Sequence, residues 1–145
     1  MKKFFVLVSL LVAVALSACG GDTAETQSYD LAEIENSGVS GKVIFEKISD
    51  TETKIDIELD GTVAGSSHPA HIHVGDAEDN GAIYVSLSPV DGETGKSTIT
   101  VTKNQEGADV TYEQLIAFDG YVNIHASMDD LAKLLAQGET GAGAN

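Results

Sequence analysis

Three of the chain's four histidines fall within six positions, His68-Pro69-Ala70-His71-Ile72-His73, and the fourth, His125, lies far downstream. His71 and His73 are two apart, so on a strand both imidazoles leave one face while Ile72 turns to the other. Their Cα atoms would stand ~7 Å apart, and both rings could reach one ion. A third imidazole from a neighbouring strand completes a three-nitrogen set. Such a set suits copper, with zinc as the alternative, and leaves a position open for water or substrate. His68 breaks the parity and Pro69 follows it, so a bracing role outside the ligand set is assigned to it. The competing reading is that the histidines are polar residues hydrogen-bonded at strand ends.

These residues need strands to hold them, and the surrounding sequence supplies them. Residues 39–48 are rich in Val, Ile and Phe. Residues 54–59 alternate apolar and charged side chains, the period of a strand with one wet face. Further strands are expected over 82–87, over 97–102 with Thr outward, and over 121–125. Helices are expected over 111–118 and 128–135. The second follows from Met128, Leu131, Leu134 and Leu135, whose spacing fits one helical face. Short strands between Gly and Asp turns, without regular β-α alternation, predict a mainly β protein: an antiparallel Greek-key sandwich or barrel with one or two short helices.

The N-terminus reads as an address. Lys2 and Lys3 precede an apolar run from Phe4 to Leu16, too short for the ~30 Å of a bilayer core but suited to an export signal over 1–18. The only cysteine, Cys19, closes Leu16-Ser17-Ala18-Cys19, which resembles the bacterial lipobox. That resemblance implies acylation of Cys19, anchorage in the bacterial envelope, and the outer membrane in a Gram-negative cell, since Gly20 and not Asp follows. Residues 19–37 are read as the lipidated Cys and a flexible acidic tether, and 38–145 as the folded domain.

The 23 acidic and 8 basic side chains give a net charge of −15. Removal of 1–18 takes away Lys2 and Lys3 and no acid, leaving 23 against 6, or −17. This balance argues against nucleic acid, which requires cationic side chains at its phosphates. One Cys excludes an intrachain disulfide and any Cys-based zinc site. No serine-hydrolase elbow and no phosphate-binding loop is present.

The stretch His68 to Asp76 resembles the His-x-x-His-x-His run, followed by Gly-Asp, of copper/zinc superoxide dismutases. Val122 to Leu131 resembles their later copper-ligand stretch. The chain is more similar still to the chordin-type (CHRD) domain, a relative of that fold, through Ser40-Gly41, His68 to Gly75, Tyr121 to His125 and the Gly-rich close at 138–145. The resemblance implies a superoxide dismutase-like sandwich, copper-ligand positions at His71, His73 and His125, a framework position at His68, and a carboxylate at Asp129 bracing the metal-bound rings. Bridging and zinc-ligand histidines are missing between Asp76 and Val122, and the chain has no Arg. An anion-processing enzyme also needs positive potential over its site, and this chain carries the opposite. The expectation is therefore an envelope lipoprotein holding copper or another divalent metal, with a non-metal interaction module as the alternative and dismutation as the least supported reading. The sequence names no protein partner.

Overall fold

A computed structural model describes residues 24–144. The expected export signal and Cys19 lie outside the described residues. Ten strands follow in the order β1 (Thr26–Glu33), β2 (Ser40–Lys47), β3 (Thr53–Asp60), β4 (Ser67–His68), β5 (Ala70–Val74), β6 (Ile83–Ser86), β7 (Val90–Asp91), β8 (Lys96–Val101), β9 (Asp119–Ser127) and β10 (Asp130–Gly141), with one helix, α1 (Tyr112–Ala117), before β9. All pairings are antiparallel. The fold is thus mainly antiparallel β with a single short helix among the described residues.

The strands run β4-β7-β8-β3-β2-β1-β10-β9-β5-β6 across one curled sheet. β1 is the seam. Its residues Thr26 to Leu31 pair with β2, and Ala32 and Glu33 pair with β10. Gly138 permits that approach, since a Cβ there would lie 2.0 Å from the Asp30 carbonyl oxygen. At the other corner the His125 amide donates to Pro69 O at 2.9 Å, tying the β4–β5 bend to β9.

Alternation builds the core. Along β3, Thr53, Ile55, Ile57 and Leu59 are buried while the residues between them face water. Val43 and Phe45 of β2 join them, and Ile72, Val122 and Ile124 close in from the other half of the sheet. Removing such side chains from water supplies the main drive to fold. Helix α1 begins at Thr111, whose hydroxyl accepts from Gln114 N while the Gln114 side chain accepts from Thr111 N. This reciprocal cap satisfies two otherwise orphaned donors, and the helix sends Tyr112 and Leu115 into the core.

Two expectations are corrected. Residues 26–33, inside the expected flexible tether, form β1 and contribute Tyr29 and Leu31 to the core. Residues 130–135, expected as helix, are the start of β10. Its register slips between Asp130 and Leu134 and again between Leu134 and Ala136. These bulges insert extra residues into one strand, so leucines at helical spacing come from an irregular strand.

Candidate metal centre

The outer face of β5, β9 and β10 is organised in cross-strand rows. His73 faces Tyr121, which faces Glu139; His71 faces Asn123, which faces Gln137; His125 faces Leu134. Val122 and Ile124 alternate with Tyr121, Asn123 and His125 and point into the core. Both faces of β9 are therefore buried. The segment 75–82, which connects β5 to β6, folds over this outer face: Gly75 N donates to Asp119 O at 2.9 Å, and Ala77 N to Glu139 Oε1 at 2.9 Å.

His71, His73 and His125 converge. Each offers a ring nitrogen, and the three nitrogens lie within 4.8 Å of one another, so the cluster can hold a metal ion. Ring centroids are 5.8 Å apart for His71–His73, 5.1 Å for His71–His125 and 6.4 Å for His73–His125. His71 Nδ1 stands 3.1 Å from His125 Nε2. Two nitrogens bound to one ion at ~2.0–2.1 Å are separated by roughly 2.9–3.4 Å, depending on the angle between them. The observed spacing falls in that range.

Backbone carbonyls fix two of the tautomers. His73 Nδ1 donates to Gly81 O at 2.8 Å, and His125 Nδ1 donates to Leu131 O at 2.7 Å. A carbonyl only accepts, so each Nδ1 carries a proton, and in the neutral ring Nε2 is then the nitrogen with the lone pair. For His73 that lone pair is buried and has no hydrogen-bond partner. Burying such an acceptor unpaired is costly, and an ion at the three nitrogens would relieve it. Burial, then the neighbouring His125 and His73 rings, pull the His71 imidazole down from 6.5 to about 4. Burial also lowers His125, against the opposing pull of the Leu131 carbonyl. Both rings are thus neutral near pH 7, the form that ligates.

The remaining site residues divide. His68 is buried and separate from the cluster, with Nδ1 donating to Ala126 O at 2.9 Å and Nε2 2.8 Å from Ser66 Oγ. It ties β4 to the end of β9 just past His125. Asp129 does not brace an imidazole. It is exposed in the turn between β9 and β10, and the Leu131 carbonyl occupies the orienting position on His125. A turn this tight brings main chain close to the ring and leaves the carboxylate in water.

Sequence reasoning missed Tyr121, Gly81 and the Leu131 carbonyl. Tyr121 was within reach of the parity argument, since it shares a face with His125 four residues on; the two backbone acceptors leave no side-chain signature. No protein-family model matches the chain, and no curated protein matches it either.

Proposed function

We propose that this protein is an exported bacterial envelope lipoprotein, anchored through Cys19, whose β domain holds a copper ion through His71, His73 and His125, with zinc as the alternative occupant. The observation that carries the reading is the buried, unpartnered Nε2 of His73, in a ring whose other nitrogen is already committed. Three imidazoles without a carboxylate or thiolate suit copper or zinc better than calcium or magnesium, which prefer oxygen. Bound copper would supply a one-electron couple and a Lewis-acid centre with room for an added ligand. The chain's own residues keep the His71 and His125 rings neutral and hold the His73 and His125 rings by backbone carbonyls. Asp76, Glu78 and Asp79 follow the histidine strand in the sequence, and their charge favours cations near the site and repels anions such as superoxide. Dismutation is accordingly not proposed.

One observation favours the interaction-module alternative. Without an ion, His71 Nδ1 can donate to His125 Nε2, which satisfies both rings as structural groups. It leaves His73 unexplained. Titration with Cu(II), Cu(I) and Zn(II) of the protein purified in detergent, with His73→Ala as comparison, decides between them. Binding well below micromolar that is lost in the variant supports the metal centre; binding no tighter than micromolar, or unchanged in the variant, overturns it.

A further inference from the structure

We propose that Tyr121 is a positioning residue of the histidine site: acting through Gly81, it sets the tautomer and plane of His73 and couples metal affinity to the docking of segment 75–82. The inference rests on the reading of the three histidines as a metal centre.

Three contacts close a ring of interactions. The Tyr121 hydroxyl accepts the Gly81 amide at 2.8 Å. The Gly81 carbonyl accepts His73 Nδ1–H at 2.8 Å. The His73 and Tyr121 rings then stack, with centroids 5.1 Å apart and planes 12° from parallel. Tyr121 is only 1% exposed and stands directly opposite His73 in the β5–β9 register. Gly81 is the residue the geometry demands, because a Cβ there would fall 1.8 Å from Val74 O. Beside it, Val74 N donates to Ala82 O at 3.0 Å and closes the base of the segment.

The three histidines depend on this segment unequally. His125 takes its orienting carbonyl from Leu131, on a different connection. His71 is oriented by His125 itself. His73 alone receives its orienting bond from segment 75–82, and its Nε2 has no partner that could hold the ring otherwise. A neutral imidazole left without an acceptor at Nδ1 divides between two tautomers, only one of which presents a bare Nε2. Outer partners of metal-bound histidines commonly change affinity by ~10–100-fold. Binding linkage is reciprocal, so an ion held by His73 must strengthen the attachment of Gly81 by the same factor that Gly81 strengthens the ion.

The test uses the full protein in detergent with Zn(II) as the probe. Zinc affinity is measured by chelator competition for the native chain, for Tyr121→Phe, which keeps the stack and removes the hydroxyl, and for Tyr29→Phe. Tyr29 is a buried tyrosine of β1 itself, with its ring edge-on to Phe45, and serves as the control for loss of a buried hydroxyl. Tyr121→Phe is expected to weaken zinc by about 10-fold or more and Tyr29→Phe to leave it within about twofold. The His73 ring nitrogens, read by NMR in the metal-free protein, should pass from a single Nδ1–H form to a mixture in Tyr121→Phe. Zinc should also slow amide exchange at Gly81 in the native chain. Native-like affinity and an unmixed tautomer in Tyr121→Phe would overturn the positioning role while leaving the metal centre intact. No zinc or copper binding by the native chain would instead remove the metal centre beneath it. If Tyr121→Phe fails to fold, the native chain decides alone, and zinc binding without slowed exchange at Gly81 overturns the inference.

Discussion

The outer face of β2, β3 and β8 and the outer face of β5, β9 and β10 arise from the same two-residue alternation and come to opposite ends. On the first, Lys42, Glu58 and Lys96 lie in one cross-strand row, with Glu58 3.1 Å from Lys42 and 3.4 Å from Lys96. Lys54 pairs with Glu46 beside it and with Asp56 at 3.3 Å. These groups remain in water, where each pair contributes little. On the second, the corresponding positions carry His71, His73, Tyr121, Asn123 and His125, and a connecting segment covers them. A sheet needs only one apolar face to fold. Burial of the other face therefore calls for a different explanation, and the unpartnered His73 nitrogen points to a ligand.

The sharpest break in this comparison is loss of a ligand. His71→Ala, His73→Ala and His125→Ala should each weaken copper or zinc by more than the ~10–100-fold expected of an outer partner, whereas Lys42→Ala on the opposite face should leave affinity unchanged in the same titration. Next comes His68→Ala. It strips a buried bond from the Ala126 carbonyl, so denaturant unfolding should show a loss of about 1–3 kcal/mol, with the His71, His73 and His125 nitrogens still present.

Acid should separate the faces by where each gives way. His71 titrates near 4 when folded against an ordinary 6.5, so the unfolded chain takes up a proton that the folded chain refuses. Stability of the metal-free protein should therefore fall as pH drops from about 6.5 towards 4, and His71→Gln should flatten part of that slope in thermal melts. Glu58 is held below its ordinary 4.5 by Lys42 and then Lys96, so its contribution is present above that value and is lost only as pH falls further. The smallest effects are expected from Lys42→Ala, at no more than ~1 kcal/mol and less in high salt, and from Asp129→Asn. Exposed Asp129 makes no bond to an imidazole among the described residues, and its substitution should leave metal affinity within about twofold in the chelator assay.

Much of this was legible where a strand obeys a simple period. β3 and β8 alternate without interruption, and the shared face of His71 and His73 follows from parity alone. Helix α1 lies within the residues expected of it. β1 was illegible because only Tyr29 and Leu31 of its eight residues are buried, amid polar neighbours that resemble a linker. β10 misled because its bulges turned a period of two into leucines three and four apart. Of the site, the meeting of His71, His73 and His125 could be read, but the carbonyls of Gly81 and Leu131 could not. The resemblance to dismutase-like domains placed a carboxylate at Asp129 where main chain does the orienting.

The early start of β1 also sets a distance. With pairing in place from Thr26, only residues 20–25 separate the proposed lipid anchor at Cys19 from the sheet. At ~3.3–3.6 Å per residue, those seven steps reach about 25 Å at full stretch. If Cys19 is acylated as proposed, the domain would be held on a short leash, and a strongly acidic body so close to the headgroups would spend its time within a few Debye lengths of the surface. Cations drawn to that narrow gap are the ones its imidazoles would meet first.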